Sequence, residues 1–584
     1  MKTTINFLFF TLISLISLLL FFNTSSGQVY FTTTPIWIST DAGYDTGCGW
    51  ADINGDGWID LVVAKGNDMS RQKVVVYYNA GGNFPYTPSW QSNDIDYHGH
   101  LSIGDINKDG YPDVAVSVYI GQAGFSQKGK IKIYMNNNGT LSSNPSWVSS
   151  DSLYTFSCAF GDADGDGDLD LAVACGESYN LKIDNQRIYY NNNGTFESLP
   201  SWKSLDQGYG MDVTWADFDN DGRLDLVFCC ERGPSKIYKN YGDSIGRLPV
   251  WTSQDASQYS NSLFVNDIDN DGWLDLAISD NNQLGGSGKF KIYKNNAGTM
   301  SGTPFWTSNF SGYGSGINLC DINNDNFCDL ICGGWWTACW IYVNTAGTFS
   351  PTPQWTSATS SVVEAIAVAD YDHDGHDTLN TLFIGNGTNK LFYLPRNPVQ
   401  KLMNIRFGND TVPYSQYCYD LENAWVSFGT PPPNGTNIYI KAIYTHDPDF
   451  AVSNWDNTIG NYIFKNSIIP SAKNISGEIP ADYKLFQNYP NPFNPATKII
   501  YEIPENTHVI IRVFDITGKA IKILVNEHKS PGKYEVEWDA FGYPSGIYFC
   551  KMETGLTTAT TENSSLQSIT RGLSENTIKM ILLK

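Results

Sequence analysis

The chain has 584 residues, 14% aromatic and only 17% charged, with 53 glycines, which suits many short strands and tight turns and excludes a coiled coil or long-helix protein. Its net charge of −23, with no basic patch, excludes nucleic acid as a partner. The length allows several domains with sizeable cores.

Residues 1–27 read as a secretory signal peptide: Lys2 supplies the charged start, Phe7 to Phe22 the apolar run, and Ser25 and Gly27 the small residues before a cut at Gln28. An uncleaved anchor is the rival, but the apolar run is shorter than the about 20 residues a span needs. No other stretch is suited to crossing a membrane, so the mature chain is expected to have no transmembrane segment.

Seven nine-residue segments then follow in register, with Asp or Asn at positions 1, 3 and 5 of each and Asp at position 9 of six. The first, DINGDGWID, places Asp52, Asn54, Asp56 and Asp60 there, with Trp58 at position 7. The second, DINKDGYPD, has Asp105, Asn107, Asp109 and Asp113 around Tyr111. The third, DADGDGDLD, has Asp162, Asp164, Asp166 and Asp170, with Asp168 at position 7. The fourth, DFDNDGRLD, has Asp217, Asp219, Asp221 and Asp225 around Arg223, and the fifth, DIDNDGWLD, has Asp267, Asp269, Asp271 and Asp275 around Trp273. The sixth, DINNDNFCD, has Asp321, Asn323, Asp325 and Asp329 around Phe327. The seventh, DYDHDGHDT, keeps Asp370, Asp372 and Asp374, puts His376 at position 7, and has Thr378 where the last acid belongs. Asp377 and Asn380 are both open as its fourth ligand.

Two carboxylates about 5 Å apart repel by roughly 3 kcal/mol at an effective dielectric near 20. Alternate oxygens wrapped around a Gly turn, plus the position-7 carbonyl, make a cage for a hard cation, and calcium takes about six to eight such ligands. Magnesium, which prefers to keep its waters, fits less well. Seven calcium ions, one per repeat, would bring the charge from −23 to −9. Charge counting predicts the tightest site in the third loop and the weakest in the seventh.

Each loop leads into an apolar run (LVVA, VAVS, LAVA, LVFC, LAIS, LICG, LFIG), read as a buried strand. A strand ending in a motif such as YYN or YKN comes next, then a strand bearing P-x-W. Four strands per repeat of about 50 residues make a propeller blade. Residues 28–397 are thus expected to form a seven-bladed β-propeller. Phe84, Leu141, Phe196, Met300 and Phe349 each stand six residues before a P-x-W tryptophan, and Phe31 stands six before Trp37. The N-terminal strand is therefore expected to complete the last blade and close the ring, removing its edge strands.

These units resemble FG-GAP (VCBS-type) repeats, the calcium-loop blades of integrin-α-like propellers and of some fungal lectins. The resemblance implies an all-β, seven-bladed propeller and leaves the function open. Residues 398–473 leave the repeat and are expected to be a small β-rich module; His446, Asp447 and Asp449 there are a minor metal candidate. From YKLFQNYPNPFNPATKIIYEIP (483–504) onward, VIIRVFDITGKAIKILV, GKYEVEWDA and IKMILLK alternate as strands of a small sandwich. Residues 474–584 resemble a type IX secretion C-terminal sorting domain, which implies an immunoglobulin-like fold, a diderm bacterium, passage through the periplasm, and a secreted or surface-bound product. The polar stretch 556–577 reads as a flexible loop.

The eleven cysteines lack framework spacing and mostly fall at core positions, with one bridge among Cys320, Cys328, Cys332 and Cys339 left open. Tyr44, Tyr97, Tyr154, Tyr209, Tyr259 and Tyr313 each stand eight residues before a loop, on the face opposite the calcium sites. Asp41, Asp94, Asp151 and Asp206 precede four of them. Such a ring suits stacking on sugars, and the bland alternative is packing between blades. The function expected is binding of glycans or surface proteins. Adhesion without a defined ligand and lyase-type chemistry at His98 or His100 are the other readings, and no sequence motif marks a catalytic site.

Overall fold

A computed structural model describes residues 29–583 except 256–258, 284, 467–472, 477–479, 506, 530, 541–542 and 556–573. The signal peptide and most of the 556–577 loop lie outside the described residues.

Among the described residues the first repeat pairs Asp45–Ala51, Asp60–Lys65, Val75–Tyr77 and Trp90–Gln91 into one antiparallel sheet of four strands. The second strand is buried at all six positions, because both of its faces are covered by neighbouring sheets. The next four repeats do the same. The second is widened by Gly124–Lys128, which extends its long second strand as a hairpin. The sixth and seventh share one strand, Trp355–Ala369. Its first residues pair with Trp340 and Ile341 of the sixth sheet, and its last seven pair with Asp449–Asn454.

That second pairing corrects the expected boundaries. The run LFIG is not the second strand of the last blade. It lies in His376–Ile384, which alternates between exposed and half-buried positions and pairs with Asn437–Thr445 in a separate sheet. The last blade takes its second and third strands from Asp449–Asn454 and Tyr462–Phe464, and its outer strand from Trp37–Ile38 at the other end of the chain. Residues 376–446 are therefore an insertion within the seventh loop, so the propeller does not stop at 397 and no module begins at 398. The insertion has its own core of Ile405, Val426, Phe428, Ile438, Ile440 and Tyr444 between a four-stranded and a three-stranded sheet.

Each innermost strand packs on the next in chain order, and Trp355–Ala369 packs on Asp45–Ala51, so the order is cyclic. Two recurring residues stitch neighbouring sheets together. The P-x-W indoles donate to the turn of the following sheet: Trp90 to the Leu141 carbonyl at 3.1 Å, Trp202 to Ile245 at 2.9 Å, and Trp306 to Phe349 at 3.1 Å. Trp355 repeats this bond to Phe31 on the N-terminal segment at 3.2 Å, whereas Trp37 of the last blade meets the first sheet by ring packing on Phe84, with centroids 5.7 Å apart. The asparagine that ends the third strand donates its side-chain amide to the loop of the preceding sheet, as Asn136 does to the Ile53 carbonyl at 2.8 Å. Asn79 closes that second circle on the Tyr371 carbonyl at 2.8 Å.

Beyond the ring, two four-stranded sheets enclose Ile499, Tyr501, Val513, Val536 and Trp538. All eleven cysteines are unbridged thiols, so the bridge left open among Cys320, Cys328, Cys332 and Cys339 is not formed; burial pushes the Cys339 thiol up to about 12.

Candidate metal centres and an aromatic face

Six of the loops fold alike, and the seventh shares their first bond, from the Gly375 amide to Asp370 at 3.0 Å. The position-6 amide donates to the first aspartate: Gly57 to Asp52 at 3.0 Å, Gly110 to Asp105 at 2.7 Å, and Asn326 to Asp321 at 2.8 Å. In the first six loops the backbone there has positive φ, between 83° and 94° at five glycines and 70° at Asn326, so a side chain at those glycines would be strained. The last aspartate is held twice. Asp60 accepts from the Ile53 amide at 3.0 Å and from the Asn79 amide at 2.8 Å. Asp113, Asp170, Asp225, Asp275 and Asp329 repeat both bonds.

In the seventh loop these two bonds identify the residue the sequence left open. Asp449 accepts from the Tyr371 amide at 3.3 Å and from the Asn466 amide at 2.7 Å. Position 9 is therefore Asp449, and position 7 is Asp447, not His376. Asp377 and Asn380 are exposed on the inserted sheet. The His446 amide donates to the Gly375 carbonyl at 2.9 Å, so the insertion enters and leaves at one point. We predict that Asp449→Ala removes one calcium equivalent and lowers stability, because two buried amides lose their acceptor at about 1–3 kcal/mol each. Asp377→Ala and Asn380→Ala should change neither. Calcium titration with thermal melts checks this, and the reverse pattern would reject the assignment.

The cages are acidic and partly buried. Carboxylate oxygens of Asp162, Asp164 and Asp166 lie within 4.8 Å of one another, as do those of Asp217, Asp219 and Asp225, of Asp267, Asp269 and Asp271, and of Asp370, Asp372 and Asp374. Burial, helped by neighbouring carboxylates, pushes Asp60, Asp113, Asp162 and Asp225 up to about 7 and Asp217 to about 6. Buried Oδ1 atoms of Asp52, Asp162 and Asp370 have no hydrogen-bond partner. Orphaned anionic oxygens in a low-dielectric pocket fit a bound cation. Two position-7 side chains are engaged outside their own cages: Trp58 stacks on His373 with centroids 4.0 Å apart, and Asp168 pairs with Lys108 at 2.6 Å; Arg223 instead reaches back to Asp221 of its own loop at 2.9 Å. Trp58 and Asp168 thus offer a metal their carbonyls alone, and the extra charge of Asp168 is already neutralised.

The insertion roofs the channel on this face, over a cavity of about 1230 Å³. Its Ser427 hydroxyl donates to Asp162 at 2.6 Å, and the Asp217 amide donates to the Tyr393 hydroxyl at 3.0 Å. The cavity floor carries His100, whose Nδ1 is 3.5 Å from Asp212. Asp212 also accepts from Ser157 at 2.6 Å and from Ser262 at 3.0 Å. His98 is buried outright, with Nδ1 2.9 Å from the Lys65 carbonyl, and burial pushes it down to about 4.

On the opposite face the aspartates before the tyrosines do not ring the mouth. They turn into their own blades: Asp41 accepts from Lys65 and Tyr77, Asp94 from Lys132 and Tyr134, and Asp206 from Lys236 and Tyr238. Asp151 takes the Tyr189 hydroxyl at 2.5 Å. The tyrosines divide. Tyr154 is buried, with its hydroxyl on the Phe125 carbonyl, while Tyr97 and Tyr209 are half-buried. Tyr259 lies under Arg232. Tyr44 and Tyr313 join an aromatic group that the sequence reading missed. Tyr44 packs on Trp455 (6.2 Å), Trp455 on Trp335 (5.4 Å), and Tyr313 on Trp336 (5.4 Å). Trp336 is 62% exposed at φ 57°. The consecutive tryptophans of GGWWTACW, unmatched in the other repeats, were the available signal.

Comparison with known proteins agrees with this geometry. An FG-GAP-like repeat model matches residues 52–116, 118–173, 178–228, 267–332 and 321–379. A secretion system C-terminal sorting domain model matches 487–563. The chain is an FG-GAP-like repeat protein that ends in a type IX secretion sorting domain. Among curated proteins it is similar to integrin alpha-3 of Mus musculus, 36% identical over 113 residues, which is 17% of this chain and 10% of that one. Integrin alpha-7 of Homo sapiens is 36% identical over 107 residues (17% and 9%), and human integrin alpha-6 is 31% identical over 120 (19% and 10%). The chain thus spans about a tenth of the length of these relatives. The sorting domain marks it for export, to the cell surface or the medium. Among the described residues no helix is long and apolar enough to cross a membrane.

Proposed function

We propose that this chain is a seven-bladed propeller holding a calcium ion in each of its seven loops, exported through the periplasm of a diderm bacterium by the type IX machinery, and that it binds glycans at the face opposite the metal. The alternate acids, the position-7 carbonyls and the orphaned buried oxygens support the metal. The C-terminal 474–584 region is the export signal, with an immunoglobulin-like sandwich as its fold.

Trp336 carries the ligand reading. A tryptophan held exposed in the left-handed region costs stability, and such strain points to a use. With Tyr313, Trp335, Trp455 and Tyr44 it spans the last two sheets and the first. Aromatic faces with polar edges suit stacking on sugar rings. The other tyrosines serve packing.

A glycan array probed with the calcium-loaded chain is expected to show a defined set of binders that Trp336→Ala loses while its melting temperature is unchanged. Binding that survives Trp336→Ala would reject this face as the site. An array without binders would favour a surface-protein ligand or plain adhesion.

A further inference from the structure

The residue just before the third-strand asparagine points at the metal cage, and its identity divides the seven loops. It is Tyr78, Met135, Tyr190 and Val343 in the first, second, third and sixth repeats. It is Lys239, Lys294 and Lys465 in the fourth, fifth and seventh. Each lysine reaches the carboxylates at positions 3 and 5 of its own loop. Lys239 bridges Asp219 and Asp221, the latter at 3.1 Å. Lys294 bridges Asp269 and Asp271, at 3.0 Å from the second, and stands 3.6 Å from Asp275. Lys465 bridges Asp372 and Asp374, at 2.9 Å from the second.

We propose that these lysines are internal counter-ions that compete with calcium, so that the propeller has four high-affinity sites, in repeats one, two, three and six, and three low-affinity sites, in repeats four, five and seven. The inference rests on the calcium reading above and adds an order of filling. An ammonium between two carboxylates occupies the volume a metal needs and cancels part of the charge that attracts it. Calcium must first displace it into water. The side chains are half-buried and flexible, so this exchange leaves the fold intact. Breaking charge-assisted hydrogen bonds of about 1.5–3 kcal/mol weakens binding by about ten- to a hundredfold. The loops so marked keep four acids apiece, so counting acids alone misses the division.

The test is calcium titration of the full chain by calorimetry and equilibrium dialysis. Wild type is expected to bind four equivalents tightly and three about ten- to a hundredfold more weakly. Lys239→Met with Lys294→Met, which copies Met135, is expected to raise the tight count to six. Met135→Lys is expected to lower it to three, and this variant decides the matter if the double variant does not fold. Seven equivalent sites in wild type, or a tight count unmoved by Met135→Lys, would overturn the proposal while leaving calcium binding intact. No bound calcium at all would overturn the calcium reading and this inference together.

Discussion

Chelated protein should melt at a lower temperature than calcium-loaded protein, and the gap should widen from pH 5 to pH 8. The sign follows from the cages. Burial raises Asp60, Asp113, Asp162 and Asp225 to about 7 from an ordinary value of 3.8. Without metal, a carboxyl whose folded value is raised favours folding while it holds its proton. That advantage is complete below the unfolded value and is lost as pH rises through about 7. The chelated chain is thus expected to lose stability between about pH 4 and pH 7. Calcium binds the deprotonated form, so its stabilisation grows over the same interval by mass action. Thermal melts in chelator and in calcium at several pH values measure both limbs. A gap that shrinks toward pH 8, or no gap at any pH, would defeat the expectation.

Deleting residues 28–38 should be the most damaging short truncation. It removes Trp37 and Ile38, which pair with Ile463 and Tyr462 as the outer strand of the last blade. It also removes Phe31, whose carbonyl accepts from Trp355 and whose ring packs on Trp355 and Phe450 at 5.8 and 5.1 Å. Losing buried Phe31 and Trp37 costs about 3–5 kcal/mol each, a large part of the stability of an ordinary domain. The freed edge at Tyr462–Phe464 is open to pairing with other chains. Size-exclusion chromatography and melting should show aggregation and a large drop in midpoint. A monomeric truncation with an unchanged midpoint would mean that the N-terminal strand is not the clasp.

The regular loops were legible in sequence because their chemistry is local: alternate acids, a Gly turn and an apolar run fall within fifteen residues. The last blade was misread because LFIG imitates that run, only a few extra residues beyond the expected distance. The true copy was present. DPDFAVSN supplies the ninth-position acid and the apolar strand, and NYIFKN supplies the aromatic–x–Asn ending. No local rule says that two halves of a metal loop stand on either side of a folded insertion. The aspartates before the tyrosines were misassigned for a different reason. Whether Asp94 faces a mouth or its own blade depends on Lys132 and Tyr134, which reach it from a strand almost forty residues away. The tyrosines do not share one environment, because periodic position does not fix exposure: the Tyr154 hydroxyl is tied to the Phe125 carbonyl while Tyr313 flanks an open tryptophan.

The shared doorway of the insertion has a mechanical meaning. Residues 376–446 join the ring through two chain segments that are bonded to each other at Gly375 and His446. Asp374 stands on one side of that neck and Asp449 on the other, so an ion at the seventh site would rivet the two sides together. Tension on the insertion then runs into this one loop before it reaches the strands of the ring. The C-terminal domain touches the same point, through Lys522 at 2.9 Å from Asp374. Load borne by either attachment converges on a single rivet, and the loop with the most foreign chain hung from it becomes the place where the molecule would yield first.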